Sequence, residues 1–128
     1  KMVSVTETKL AWSTESIDTN ARNEDDGMAN MNTIKALNPD LSKYPAFKWC
    51  ADYGTDWYLP AYNELKVIYN SKSTIDSTLS ANGYTSLKTS YLSSTEYNNY
   101  DAYECEYRGY YKDEKDYDYY YVRAILAF

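Results

Sequence analysis

Between Tyr97 and Tyr121 the chain carries ten tyrosines, seven acidic residues and three basic ones, and not one Val, Ile, Leu, Met, Phe or Trp. Strands built from such a stretch have no aliphatic face to bury, and a Tyr ring goes inside only where its hydroxyl finds a partner. The core must therefore come from the rest of the chain, with this segment held at the surface. With 128 residues in all, the length is that of one ordinary domain, so residues 1–128 are expected to form a single unit. Seven acids against three bases place −4 of the net charge of −6 in the segment, and the remainder is nearly balanced.

That charge argues against nucleic acid or an anionic membrane as partner, since both need clusters of Lys and Arg that the chain does not contain. With no His, an imidazole base or ligand is excluded. No stretch is long and apolar enough for direct membrane insertion. No apolar signal region follows Lys1, so the expectation is a processed form, or a chain lacking its export signal or an N-terminal module. Cys50 and Cys105 lie far apart and form no metal-type spacing. A buried free thiol at Cys50 is the simple reading and a disulfide the alternative.

The frame shows itself in helix and strand signals. Val3, Val5 and Leu10-Ala11-Trp12 predict an N-terminal strand within 1–12. Asp25 or Asp26 is placed to cap a main helix, Asp26–Leu37, whose Met28, Met31, Ile34 and Leu37 recur every three residues. A short helix carrying Phe47 and Cys50 follows, and Pro60 opens a second main helix, Pro60–Asn70. Further helical turns over Ser73–Ala81 stop at Asn82-Gly83. Strand signals then run through Tyr91–Thr95, Tyr103–Tyr107 and Tyr119–Phe128, with Arg108-Gly109 as a turn between them. In the second of these, Tyr103, Cys105 and Tyr107 share one face, and Glu104 and Glu106 share the other as a solvated pair. The predicted class is α+β: two main helices packed on a small, mostly antiparallel sheet with 119–127 among its inner strands.

Core candidates are Trp12, Trp49, Trp57, Leu59, Leu65, Ile68, Val122, Ala124 and Leu126. Arg123 interrupts an apolar run and needs a carboxylate partner, for which Glu96 and Glu64 are the candidates.

Tyr supplies large amphipathic contact area at low rotamer-entropy cost, and Asp and Asn adapt hydrogen bonds to whatever faces them, as in an antibody paratope. The residues expected to bind a ligand are Tyr97, Asn98, Asn99, Tyr100, Asp101, Tyr103, Arg108, Tyr110, Tyr111, Asp113, Asp116, Tyr117, Asp118, Tyr119 and Tyr120. Arg108 is the charged anchor.

Gly54-Thr55-Asp56-Trp57-Tyr58-Leu59-Pro60, then Asn63-Glu64-Leu65, Leu92-Ser93-Ser94-Thr95-Glu96 and Tyr121-Val122-Arg123-Ala124 follow in order. This sequence of motifs, over about residues 27–128, resembles bacterial and phage C-type-lectin-like domains, with Leu92 where the family has Trp. Within that group it resembles the variable proteins of diversity-generating retroelements, in which adenines of a C-terminal segment are mutated. The resemblance implies a C-type-lectin-like fold with 97–121 as the variable ligand-binding segment. It also implies an extracellular, cell-surface or phage-particle location, and a protein or glycan target on another cell or phage. Asn codons of the AAY type yield Tyr, Asp, Ser, Gly and Cys, which matches most of 98–120. Glu104, Glu106, Lys112, Glu114 and Lys115 cannot arise from such codons.

The alternatives are an undiversified lectin-like carbohydrate-binding domain or a structural domain of a pilus or surface protein. The frame is also that of formylglycine-generating enzymes, but the chain lacks a close pair of reactive cysteines, so no enzyme activity and no catalytic residue are expected. No cofactor or metal is expected either. Asp113-Glu114, Asp116 and Asp118 offer oxygen ligands for Ca²⁺, yet form no calcium-lectin motif and read as a solvated acidic loop.

Overall fold

The computed structural model describes residues 1–106 and 109–127. It is an α+β structure with four helices, α1 (Gly27–Leu37), α2 (Pro45–Tyr53), α3 (Tyr62–Asn70) and α4 (Lys72–Ala81), and two sheets. The smaller sheet has the order β1 (Met2–Val3), β8 (Ile125–Leu126), β3 (Trp57–Tyr58). The larger has the order β2 (Thr8–Lys9), β7 (Tyr121–Val122), β4 (Ser90–Glu96), β5 (Asp101–Glu106), β6 (Gly109–Glu114). Every described pairing is antiparallel except β4 with β7, which meet parallel at Tyr91 and Tyr121.

The C-terminal stretch is internal to the sheets, as expected, but it is two short strands in different sheets. Alternation breaks where Val122, Arg123, Ala124 and Ile125 are all buried in succession. Arg123 Nε donates to Glu7 (2.9 Å) and to the Tyr91 hydroxyl, while its terminal nitrogens donate to the carbonyls of Ser4 and Thr85. The partner of Arg123 is therefore Glu7, not Glu96 or Glu64, and the arginine joins the N-terminal stretch to the junction between the sheets.

Helix starts follow local chemistry. The Asp26 side chain accepts the N–H groups of Met28 and Ala29, as the sequence predicts for a cap. The third helix begins at Tyr62 rather than Pro60, because Glu64 reaches back to accept the Ala61 N–H (3.0 Å). The same carboxylate accepts the Gly27 N–H (2.7 Å), the Tyr58 hydroxyl and the Lys1 ammonium. Glu64 thus binds the starts of α1 and α3 to β3. That approach is so close that a Cβ on Gly27 would lie 2.4 Å from the Leu59 carbonyl oxygen. Gly83 ends the α4 region at φ +78, in the left-handed region that glycine tolerates.

Two cores result. The larger gathers Trp12, Met31, Ile34, Tyr44, Phe47, Cys50, Leu59 and Val122, with the Phe47 ring edge-on to Trp12 at 5.0 Å. The smaller gathers Leu65, Tyr69, Leu79, Leu87, Tyr91 and Cys105 between α3, α4 and the larger sheet. Of the predicted core, Trp12, Leu59, Leu65, Val122 and Ala124 are buried, whereas Trp49, Trp57, Ile68 and Leu126 are half-buried. Cys50 and Cys105 are free thiols in separate cores. Burial pushes the pKa of both upward, that of Cys105 to about 11.

Gly27→Ala is expected to lower stability by about 2 kcal/mol or more, as overpacking against backbone does, without changing the fold. A urea unfolding midpoint beside the parent checks it; an unchanged midpoint would mean that α1 does not meet the Leu59–Ala61 backbone as described.

Candidate functional site

The tyrosine segment hangs from β4, whose last residue, Glu96, is buried along with Leu92, Ser93, Ser94 and Thr95. The Glu96 carboxylate accepts the backbone N–H and hydroxyl of Thr19, the N–H of Asn20, Nε of Arg22 and Nζ of Lys115. Burial alone would raise its pKa, but the Lys115, Thr19 and Arg22 donors outweigh that and hold it below the usual carboxylate range. Lys115 is itself buried, donates to the Ile17 carbonyl and lies over the Trp12 ring at 4.6 Å. Although it belongs to the surface-like segment, Lys115 is an internal anchor.

From Glu96 the chain turns back on itself. The Asn98 side chain accepts the N–H groups of Tyr100 and Asp101, and the Tyr97 and Asn98 N–H groups donate to the Asp101 carbonyl. Asn98 therefore shapes the turn between β4 and β5. The strands β5 and β6 then pair with Tyr103 opposite Lys112, Cys105 opposite Tyr110, Glu104 opposite Tyr111 and Ala102 opposite Asp113. Directly opposed residues share a face. Tyr103, Lys112 and Tyr110 thus lie on the side covered by α3, while Glu104, Asp113 and Tyr111 take the other.

This segregation divides the tyrosines. On the α3 side, Tyr103 contacts Tyr62, Tyr97 and Tyr110 at centroid distances of 5.4, 5.4 and 5.6 Å, and Tyr62 meets Tyr110 edge-on at 4.8 Å. On the other side, Tyr117, Tyr119 and Tyr120 follow one another at 6.4 and 6.5 Å. There the Tyr120 hydroxyl donates to Asp113. The buried Glu104 carboxyl accepts from Ser90 Oγ (2.8 Å), and desolvation raises its pKa.

Among the predicted site residues, Tyr97, Tyr100, Tyr110, Tyr111, Asp116, Tyr117, Asp118 and Tyr119 are exposed, Tyr119 the most at 74%. Asn98, Asn99, Asp101, Tyr103, Asp113 and Tyr120 are half-buried. Arg108 lies outside the described residues. Gly109, the described half of the predicted turn, opens not the C-terminal strand but β6, a strand at the edge of the sheet that the sequence does not signal. The expected solvated Glu104–Glu106 pair is corrected as well: Glu104 is buried between β4 and β6, and Glu106 is half-buried. Tyr62 and Lys66 were missed. Their four-residue spacing on α3 places them on one helix face, but nothing in the sequence ties that face to the distant tyrosine segment. No group of three or more Cys, Asp or Glu suited to a metal ion is gathered among the described residues, so the acids of 113–118 do not converge.

No family model matches this chain, and no curated protein does. Its fold is similar to part of a fimbrial protein from Bacteroides ovatus ATCC 8483 known from a crystal structure, with a TM-score of 0.72 over 98% of this chain at 15% identity. The chain spans 35% of the length of that protein. At this identity the likeness is one of fold. No described helix is long and apolar enough to cross a membrane.

Because its pKa is raised in the folded protein, Glu104 contributes stability while protonated. That contribution is present below the unfolded pKa of about 4.3 and lost as pH rises through the folded value. Glu104→Gln is accordingly expected to raise the thermal midpoint at pH 7, with the gain vanishing near about pH 4. A lower midpoint at pH 7 would show that the carboxylate form is the one the fold favours.

Proposed function

We propose that this chain is a C-type-lectin-like, non-enzymatic domain of a bacterial surface protein of fimbrial kind, and that its tyrosine segment is the contact surface for a protein or glycan on another cell. The observation that carries the reading is the split within 97–121. Tyr97, Tyr100, Tyr110, Tyr111, Tyr117 and Tyr119 stand exposed, while Glu104 and Lys115 of the same stretch are buried and paired. A frame that fixes the segment from inside and leaves six rings in water fits recognition, because exposed rings gain packing energy once a partner covers them. The fold likeness to part of a fimbrial protein supports a surface location and a place within a longer assembly. In such an assembly the same face could instead be covered permanently by a neighbouring module, which is the structural-domain version of this reading.

A second reading, that the segment is diversified by a retroelement, draws on one observation. Seven positions compatible with mutated AAY codons, Tyr100, Tyr110, Tyr111, Asp116, Tyr117, Asp118 and Tyr119, are exposed, although Cys105, also compatible, is buried and Lys112 and Glu114, which such codons cannot produce, are exposed as well. Glu104 and Lys115, which such codons cannot produce, are buried supports of the frame.

The test is a labelled form of the chain applied to panels of intact bacterial and animal cells, beside a variant with Tyr100, Tyr111, Tyr117 and Tyr119 changed to Ser. The contact-surface reading expects staining of some cells by the parent and its loss in the variant. The variant should unfold within a few degrees of the parent, as surface changes worth about 0.5 kcal/mol each allow. A variant that fails to fold, or parent and variant that stain alike, contradicts it.

A further inference from the structure

Among the described residues, three lysines rest against tyrosine rings without an ion pair to a carboxylate: Lys9, 4.7 Å from the centre of Tyr121, and two at the tyrosine segment. Lys112 on β6 holds its ammonium 4.0 Å from the centre of the Tyr97 ring. Lys66 on α3 holds its own 4.5 Å from the centre of Tyr62 and 5.7 Å from that of Tyr110. By contrast Lys1, Lys43, Lys48, Lys72, Lys88 and Lys115 each pair with an Asp or Glu. The contrast arises in the most acidic part of the chain, and the strand register accounts for part of it: Asp101 and Glu114 share the face of Tyr103 and Lys112, while two other acids do not. Glu104 and Asp113 face the other side of the sheet, where Ser90 and Tyr120 satisfy them.

The α3 side carries, beside Asp101 and Glu114, a row of rings with a cation at each end. Tyr97, Tyr103, Tyr110 and Lys112 line an open basin of about 390 Å³, within the range of small-ligand sites, to which Tyr111 also contributes although its register places it on the other face. Tyr110 continues the row to Tyr62 and Lys66.

The geometry points to this basin as a binding site for an acidic pyranose, a sialic or uronic acid unit of a glycan, with its ring against the tyrosines and its carboxylate on Lys112. The C–H bonds of a pyranose are weakly positive and meet the negative face of an aromatic ring, while its hydroxyls stay free to bond the tyrosine O–H groups. A neutral sugar would leave the Lys112 ammonium without an anion. A cationic side chain would be repelled by that ammonium, which already occupies the Tyr97 face. A charge-assisted bond to carboxylate is the interaction that uses both features at once. In a chain of acidic sugars, Lys66 at the far end of the row would take the carboxylate of a neighbouring unit. The inference rests on the reading of 97–121 as a contact surface and names its ligand class.

The experiment is a titration of the intact chain, followed by backbone amide shifts, with 3′-sialyllactose and with trigalacturonate, beside lactose and methyl-esterified trigalacturonate. The expected result is that one acidic saccharide binds at least about tenfold more tightly than its neutral counterpart, with weaker binding in salt and shifts at Tyr103 and Lys112. Which one binds separates sialic from uronic acid. Lys112→Gln is expected to weaken that binding about tenfold at an unchanged thermal midpoint, and Lys35→Gln to leave it alone. Equal affinity for acidic and neutral sugars, or binding indifferent to Lys112→Gln, overturns the acidic-sugar site but leaves a tyrosine contact surface for neutral ligands. No shift with either acidic saccharide up to about 10 mM, too weak to be useful, overturns it too. Cell staining by the parent and the four-tyrosine variant then decides separately whether the segment is a contact surface at all.

Discussion

The Glu96 carboxylate, shut away from water at the end of β4, gathers donors from the loop around Thr19 to Arg22 and from Lys115, ninety-odd residues further on. An unpaired buried carboxylate would cost several kcal/mol, and leaving Lys115 buried without it would cost as much again. The two ends therefore hold each other. This pair lets a stretch whose one aliphatic residue is Ala102 remain ordered: the segment is pinned to the core through Lys115, over Trp12, more than by burying its own rings. The loop conforms to the same need, since Asn20, whose N–H points at Glu96, adopts φ 61, a conformation that Asn accepts more readily than most residues.

With its ends anchored, the segment is free to be unlike a core strand pair. β5 keeps a partly conventional role, placing Ala102 and Cys105 in the two cores. β6 forms the outer edge and carries exposed rings and charges, and its Lys112, Asp113 and Glu114 also discourage indiscriminate pairing of that open edge with other chains. The twofold repeat of strand geometry does the remaining sorting, with Tyr103, Tyr110 and Lys112 beside Asp101 and Glu114 on one side and Glu104, Asp113 and Tyr111 on the other. A composition that looks uniform along the sequence becomes two chemically different surfaces, and only the side next to α3 gains Tyr62 and Lys66 from outside the segment.

The parts visible in the sequence are those determined by neighbours along the chain. Asp26 as a cap, Gly83 as a stop and the opposition of Tyr103 to Glu104 each depend on a few adjacent residues, and each is where local chemistry puts it. The need of Arg123 for an anion was equally visible, because a guanidinium in an apolar run has few other solutions. Its partner was not, since Glu7 lies in a polar N-terminal stretch with no pattern to single it out. Lys115 reads as one more surface charge until the fold places it beside Glu96. The break between β7 and β8 was hidden for a related reason: the apolar alternation of 120–128 continues in the sequence through the point where the chain passes from one sheet to the other.

The central claim is that 97–121 divides into an internal anchor and an external display. Equilibrium unfolding of Lys115→Ala, Asp116→Ala and Tyr117→Ala, neighbours in sequence with opposite surroundings, tests it most directly. The account predicts a loss of about 3–5 kcal/mol for Lys115→Ala, as for a broken buried ion pair, and changes within about 0.5 kcal/mol for the other two. Equal small losses at all three positions would mean that Lys115 anchors nothing, and a large loss at Tyr117 would place the displayed tyrosines in the core.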